Sequence, residues 1–364
     1  MNHSPACDSS IEHGQALAAM CAAVSAAASV CSTVQAGLDR YRAITKDDRS
    51  PVTIADFASQ AVVARALRAA LGDDLVLVGE ESSSFLRDPA HAAHLDAALD
   101  VLRAGAWPGV TAEALLDAID LGAAEPPPAD APAGFFTLDP IDGTKGFLRG
   151  GQYAVALAFI RAGRPELAAM GCPNLSPDPA RGADAAPADA GTPGGCLFAA
   201  VRGSGRVVQS PLGASCGRGG GELLVTPASR AAFAGARAHP VLAESVESAH
   251  SDQSASAILM RELDAAYGLV RLDSQCKYAV VARGQADVYL RLPSKKGYVE
   301  RIWDHAAGAL IAEEAGCIVT DVDGRPLDFG HGRGLEANRG VVVATAALHA
   351  RLIAAISAHR PPNA

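Results

Sequence analysis

The segment LDPIDGTKGF, residues 138–147, sets two carboxylates three positions apart with a proline between them. Because the proline fixes the chain, Asp139 and Asp142 can converge on one side of a turn. Such paired oxygen ligands suit magnesium, and Gly143 lets the backbone turn so that its amide and that of Thr144 can face a phosphate oxygen. A plain turn with solvated aspartates is the alternative. The segment is therefore a candidate magnesium and phosphate site.

Two more acidic segments stand where a predicted element ends or begins. Glu80 and Glu81 follow the apolar run 75–79, which is typical of a buried strand, and binding residues collect at strand ends. Asp304 opens the predicted helix 304–315. Each has a plain alternative, because Glu81 could be a surface charge and Asp304 could be a helix N-cap. Carboxylates brought together would repel one another, so the three segments together favour a metal cluster.

Strands and helices alternate along the chain, which predicts a mixed α/β protein built in layers. Because 364 residues exceed the size of a typical single core, we predict two domains, residues 1–215 and 216–364, with the boundary in the glycine-rich segment 216–221. The predicted strands include 135–138, 153–160, 196–201, 222–225, 279–281, 288–290 and 341–344, and the predicted helices include 16–37, 57–71 and 304–315.

Composition and charge exclude some partners. The formal net charge of −9 argues against binding to a nucleic-acid backbone. No lysine or arginine precedes Arg40, which argues against a signal or transit peptide. The alanine-rich run 16–37 carries its larger apolar residues at helical spacing, so we expect a core helix there rather than a membrane anchor. We expect a cytoplasmic protein, or one in an organelle stroma or matrix if a transit peptide has been removed.

Eight cysteines are scattered through the chain without a C-x-x-C pair or zinc spacing. This pattern is typical of free thiols in a reducing compartment. Spacing leaves open whether Cys172 and Cys196, which flank the loop 176–195, form a disulfide. Lys277 could favour a thiolate at Cys276, and the alternative is an inert buried thiol.

The order of these motifs resembles that of the lithium-sensitive, magnesium-dependent phosphatases, a superfamily that includes the inositol monophosphatases. The motifs that carry the resemblance are 56–60, 79–82, 139–149 and 303–308. Longer segments are similar to the 3′(2′),5′-bisphosphate nucleotidases within that superfamily, namely 145–155, 171–175, 272–278 and 287–293. The resemblance covers roughly residues 15 to 350.

The resemblance implies a layered α-β-α-β-α sandwich of the sugar-phosphatase type, with most metal ligands in the N-terminal domain. It implies two or three magnesium ions, ligated by Glu80, Asp139, Asp142, Asp304 and the carbonyl of Ile141. It also implies that Asp56 and Thr144 orient and deprotonate the attacking water. A threonine hydroxyl is a poor base, so we expect Thr144 to relay a proton to the Asp56 carboxylate.

For the substrate, the resemblance assigns a set of binding residues, which are Thr144, His250, Ser274, Lys277, Arg291 and Asp304. A hydroxyl and two cations at Ser274, Lys277 and Arg291 suit a second phosphate, because an arginine can bind it with two parallel hydrogen bonds. Without the resemblance, His250 would be an ordinary loop histidine.

The resulting prediction is a phosphatase that converts adenosine 3′,5′-bisphosphate to AMP and phosphate. We expect that it also acts on the sulfated form of that nucleotide and, as a side activity, on inositol 1,4-bisphosphate. An inositol polyphosphate 1-phosphatase is the alternative within the same class, and a non-catalytic sensor of the bisphosphate nucleotide is the alternative outside it. The expected partner is a small phosphorylated nucleotide, bound by a monomer or weak homodimer without nucleic acid or membrane.

Overall fold

The computed structural model describes residues 5–39, 54–183, 194–213, 222–235, 237–247, 251–293 and 297–359. The helices are α1 Pro5–Ala36, α2 Ile54–Leu71, α3 Ser84–Arg87, α4 Ala92–Ala104, α5 Ala112–Asp120, α6 Thr144–Leu148, α7 Pro227–Ala234, α8 Gln253–Leu263, α9 Cys276–Ala282, α10 Ala306–Glu314 and α11 Ala346–His359. The strands are β1 Leu77–Gly79, β2 Phe135–Asp142, β3 Ala154–Arg161, β4 Arg164–Cys172, β5 Cys196–Val201, β6 Val207–Pro211, β7 Leu223–Val225, β8 Val241–Glu244, β9 Gly268–Arg271, β10 Val288–Arg291, β11 Ile318–Thr320 and β12 Val341–Ala344.

The first sheet of the described chain has seven strands in the order β1 to β7. Strands β1 and β2 are parallel, and each following neighbour is antiparallel. Side chains alternate between the two faces, so Val155 and Leu157 join one apolar core with α1 and α2, whereas Ala156 and Ala158 join a second core. Both faces of this sheet are therefore covered.

The second sheet has five described strands in the order β11-β12-β10-β8-β9. Helices α9 and α10 lie between the two sheets, because their buried residues share one core with the inner faces of both. Helices α8 and α11 cover the outer face of the second sheet, where Met260 and Leu352 pack with Val342. The layers run helix, sheet, helix, sheet, helix, which confirms the predicted sandwich.

Helix α1 is the core helix that the sequence predicts. Met20, Val24 and Cys31 are fully buried in the core that α1 shares with α2 and the first sheet. The span His13–Ala36 is long and apolar enough to cross a membrane by length and composition, but half of its apolar window is buried inside the fold. Burial on this scale is what a core helix of a layered protein shows.

Two sequence predictions about secondary structure are wrong. The run 279–281 was expected to be a strand, but it lies in α9, where every residue is buried in the middle layer. A short apolar run that is buried on all sides has no period from which helix and strand can be told apart. The helix predicted over 304–315 was expected to begin at Asp304, but it begins at Ala306 and its N-cap position is His305. Asp304 is therefore not an N-cap.

The predicted domain boundary, residues 216–221, lies outside the described residues. Strand β7, which follows it, pairs with β6 in the first sheet, and the division into two domains stays a prediction. Cys172 and Cys196 are register partners on neighbouring strands, and both are free thiols buried in the structure. Cys276 is also a buried free thiol, which agrees with the alternative of an inert buried thiol.

Candidate active site

An irregularity in β2 brings Asp139 and Asp142 to the same cavity. In a regular strand, residues three apart point to opposite faces of the sheet. Here Asp139 pairs with Ala156 while Asp142 pairs with Ala154, so one extra residue is inserted between the two aspartates as a bulge. Both carboxylates consequently line one cavity. The predicted convergence is confirmed, although a bulged strand end produces it rather than a free turn.

Gly143 is required where the strand turns into α6. Its φ is +86°, which favours glycine. A Cβ at this position would lie 2.9 Å from the Cβ of Ser274, which is too close for a residue with a side chain. Ser274 itself has a φ of +69°, so the two segments meet through two unusual backbone conformations. The Thr144 hydroxyl follows directly and donates a hydrogen bond to the carbonyl of Ile141 over 3.2 Å.

Glu80 reaches the cavity because β1 is parallel to β2. Gly79 pairs with Leu138, so both strands end at the same edge, and the Glu80 amide donates to the Leu138 carbonyl over 3.2 Å. Gln60 of α2 holds this edge in place through 2.8 and 3.0 Å hydrogen bonds to the carbonyl and amide of Glu81. Gly79 lacks a side chain because a Cβ there would lie 2.5 Å from Gln60 Oε1.

Gln275 connects the two halves of the site. Its backbone amide donates to Asp142 Oδ2, and its Nε2 donates to the Trp303 carbonyl over 2.8 Å, next to Asp304. Its Oε1 accepts from the Gly308 amide over 2.9 Å. Gln275 could not be assigned a role from the sequence, because a glutamine side chain that bonds to backbone groups belongs to no recognisable motif. Its position directly after Ser274 was the only available signal.

These contacts close one cavity of about 250 Å³. It is lined by nine of the predicted site residues, which are Glu80, Asp139, Ile141, Asp142, Thr144, Ser274, Lys277, Arg291 and Asp304. Tyr289 and Tyr298, which the sequence analysis did not single out, also line it. His250 lies outside the described residues. Side chains from both sheets and from the connections between them thus meet in one place.

Asp56 is not among the residues that line this cavity. It lies in the first turn of α2 and is 2% exposed. Burial raises the pKa of Glu81 to about 9, and the charges of Asp56 and Glu80 contribute to that rise, so Asp56 lies near the acidic pair Glu80 and Glu81. The hydroxyl contact of Thr144 is to Ile141, and the proton path from Thr144 to Asp56 stays a prediction.

Four of the lining residues form what we call the carboxylate cluster, which is Glu80, Asp139, Asp142 and Asp304. Burial raises the pKa of Asp139 well above its ordinary value, and the charges of the other three members raise it further. The pKa of Asp304 is raised well above its ordinary value, first by burial and then by Asp142 and Glu80, against the opposing charge of Arg291. Burial likewise raises the pKa of Asp142 and of Glu80. The cluster carries more negative charge than the surrounding protein neutralises.

This charge imbalance fits divalent cations. Magnesium prefers carboxylate and carbonyl oxygens, and the Ile141 carbonyl stands between two of the carboxylates in sequence and lines the same cavity. Bound cations would remove the mutual repulsion that raises these pKa values. The four carboxylates and the Ile141 carbonyl are oxygen donors of the kind that magnesium prefers, and their role as its ligands stays a prediction.

A second group beside the cluster is internally neutralised, and we call it the arginine network. It consists of Arg291, Glu300, His305 and Tyr278, joined in that order by an ion pair and two hydrogen bonds. Burial raises the pKa of Glu300, but the hydrogen bonds and charges of His305 and Arg291 lower it to about 2. Although Glu300, Asp304 and His305 lie close enough to share an ion, Glu300 already has a cationic partner in Arg291.

Lys277 is the other cation of the cavity and is 3% exposed. Burial lowers its pKa to about 8, against the opposing charge of Asp142. Its Nζ donates to the Ser274 carbonyl over 2.6 Å, which fixes the ammonium beside the Ser274 turn. Lys145 of α6, which also lines the cavity, and Arg149, which directly follows α6, both form ion pairs with Glu247.

Known proteins match this chain over most of its length. The sequence profile of the inositol monophosphatase family matches residues 15–360. A 3′(2′),5′-bisphosphate nucleotidase of Emericella nidulans is 42% identical over 330 residues, covering 86% of this chain and 89% of the relative. A protein of the same name from Schizosaccharomyces pombe is 38% identical over 325 residues, covering 87% of this chain and 86% of the relative. The solved inositol monophosphatase of Anabaena has the same fold, with a TM-score of 0.54 at 18% identity, covering 95% of this chain and 96% of its own.

Proposed function

Because the chain belongs to the inositol monophosphatase family, we propose that it removes the 3′-phosphate of adenosine 3′,5′-bisphosphate to leave AMP. The activity is that of a 3′(2′),5′-bisphosphate nucleotidase, a phosphomonoesterase, as in the relatives that are 38 to 42% identical. The family implies metal-dependent catalysis. Beyond this activity, we propose two or three magnesium ions, a second substrate in the sulfated nucleotide, and a side activity on inositol 1,4-bisphosphate.

The observation that carries the proposal is the composition of one cavity. The carboxylates that need cations line the same cavity of about 250 Å³ as the buried Lys277 and Arg291. A phosphate to be cleaved would lie at the carboxylate cluster, and Ser274, Lys277 and Arg291 would bind a second phosphate. A substrate with two phosphates uses both groups of residues, and a monophosphate would use only one.

The carboxylate cluster and the Ile141 carbonyl would hold the magnesium ions. When bound, such ions stabilise the charge of the phosphate oxygens and lower the pKa of a water molecule that attacks them. Thr144 lies within the cavity, where its hydroxyl can orient that water, and Asp56 would accept the proton. By the resemblance, Asp304 would also bind the substrate, and His250 would approach its nucleoside part.

The test is phosphate release from five compounds with magnesium and with a chelator. These are adenosine 3′,5′-bisphosphate, its sulfated form, inositol 1,4-bisphosphate, adenosine 3′-phosphate and adenosine 5′-phosphate. We expect the first two to be hydrolysed fastest and the last not at all, and the chelator to abolish release. Release mainly from the inositol compound would identify an inositol polyphosphate phosphatase. Tight nucleotide binding without any release would identify a sensor.

The state and location of the protein complete the proposal. We propose that it works as a monomer or weak homodimer, in the cytoplasm or in an organelle stroma or matrix. Light scattering at assay concentration and imaging of a tagged full chain would test the two parts. A stable larger assembly would contradict the first part, and secretion would contradict the second.

A further inference from the structure

The guanidinium of Arg291 is held along one of its edges by a buried carboxylate. Its Nε lies 2.8 Å from Glu300 Oε1, and its second terminal nitrogen lies 2.7 Å from Glu300 Oε2. The side chains are 15% and 9% exposed, so water does not replace this contact readily. A bidentate pair of this kind fixes the plane of the guanidinium as well as its position.

Glu300 is itself fixed from behind. His305 Nε2 lies 3.3 Å from Glu300 Oε2, and the other ring nitrogen of His305 lies 2.8 Å from the Tyr278 hydroxyl. His305 is completely buried. Tyr278 in turn packs on Gly308 of α10, where an added Cβ would lie 2.3 Å from the tyrosine ring. The arginine network therefore runs from the cavity into the rigid middle layer of helices.

Two effects of Glu300 on a bound phosphate oppose each other. Its negative charge offsets part of the attraction that Arg291 exerts on a phosphate. It also keeps Arg291 from turning toward the carboxylate cluster, where Asp304 already attracts it electrostatically. An arginine paired with a metal ligand would be lost to the substrate and would compete with the cations, so the second effect favours binding of the substrate. Glu300 pairs with two of the guanidinium nitrogens, and Arg291 also contacts Tyr289 and Tyr298, which line the same cavity.

We propose that Glu300 is a positioning residue that determines the preference for a substrate with two phosphates. By holding one edge of Arg291, it presents the remaining N–H groups to the phosphate that is not cleaved. The inference rests on the proposed function. It adds a residue that contacts Arg291 but that is not among the residues lining the cavity.

The test compares Glu300→Gln with the unchanged protein on two substrates, adenosine 3′,5′-bisphosphate and adenosine 3′-phosphate. Glutamine keeps the shape but has only one oxygen acceptor, so Arg291 loses the bidentate pair. We expect the KM for the bisphosphate to rise about tenfold, with kcat changed by less than about threefold. The KM for the monophosphate should change by less than about threefold, since it has no second phosphate to hold.

A double-variant cycle makes the test specific to Arg291. Arg291→Ala combined with Glu300→Gln should be no worse for the bisphosphate than Arg291→Ala alone, because both changes remove one interaction. Glu300→Asp, which restores the carboxylate, should recover part of the bisphosphate KM. If Glu300→Gln does not fold, as judged by its unfolding midpoint, Glu300→Asp and its own cycle with Arg291→Ala decide the question.

Asp287→Asn is the matched control. Asp287 is a buried carboxylate paired with Arg237 over 2.7 Å at the opposite end of β10, and it does not line the cavity. Its replacement should leave the ratio of the two KM values unchanged. Equal losses on both substrates in Glu300→Gln, or additive losses in the cycle, would overturn the inference while the proposed function stands. An unchanged protein that releases no phosphate from the bisphosphate would overturn both.

Discussion

The carboxylate cluster and the arginine network are neighbours, and Arg291 of the network lines the same cavity as the cluster, but the two differ in how their charges are balanced. In the cluster, burial and then the neighbouring carboxylates raise the pKa values of Asp139 and Asp304 well above their ordinary values. In the network, Glu300 has a pKa of about 2 because Arg291 and His305 neutralise it against the cost of burial. The carboxylate cluster needs cations from outside the protein, whereas the arginine network contains its own cation, Arg291.

This difference indicates a division of labour. A region with unbalanced charge gains most from an added cation, so it is suited to metal binding and to the chemical step. A region with balanced charge is already rigid before any ligand arrives, so it is suited to choosing the substrate. Changes in the first region should therefore act mainly on kcat, and changes in the second mainly on the KM of one substrate.

The largest expected effect is in the carboxylate cluster. Asp139→Asn or Asp142→Asn replaces a charged ligand by a neutral one, and we expect kcat to fall about 1,000-fold with magnesium at saturation. Phosphate release from the bisphosphate measures this, with Asp287→Asn as the control for replacing a buried aspartate. Near-normal turnover in either variant would remove the cluster from the mechanism and erase the contrast with the network.

A smaller effect is expected for the pair that handles the proton. Thr144→Ala and Asp56→Asn should each lower kcat about 100-fold while magnesium and nucleotide still bind, because general-base catalysis contributes effects of that size. If the two act as one unit, the double variant should be little worse than either single one.

The direct contact of the Thr144 hydroxyl is with Ile141, so the Thr144 and Asp56 cycle is informative in both directions. Multiplied losses in the double variant would show that the two residues act separately. Orientation of the water by Thr144 would then be independent of proton uptake by Asp56. Titration calorimetry with magnesium and with the nucleotide separates lost binding from lost chemistry.

The smallest expected effect concerns stability without metal, and the two regions should respond with opposite signs. In chelator, Asp139→Asn removes one of several repelling charges and should raise the free energy of unfolding by about 1 kcal/mol. Glu300→Gln should lower it, because it leaves Arg291 with a weakened partner in a buried setting. Chemical denaturation measures both. The same sign for the two variants would mean that their charge balance does not differ.

Much of the site was predictable from the sequence because metal ligands must be particular side chains at particular places. Glu80 follows β1, Asp142 ends β2 and Asp304 lies just before α10, and carboxylates at such places are ligands that magnesium prefers. The layered architecture was predictable for a related reason, since the alternation of strands and helices leaves few ways to bury both faces of a sheet.

The contacts that assemble the site were decided only by the tertiary structure. The β2 bulge depends on its pairing with β3, and Gln275 bonds to the Asp142 carboxylate and to the Trp303 carbonyl, which are distant in sequence. Whether 279–281 formed a strand or a helix likewise depended on its place between the sheets.

Glu300 shows the same limit most clearly. Nine positions separate it from Arg291. The contact exists only because the fold brings the end of β10, which carries Arg291, next to the segment before α10, which carries Glu300. The sequence gives the residue type of each candidate ligand directly. How the charge of that residue is balanced depends on its neighbours in space, and these are determined only when distant segments of the chain pack together.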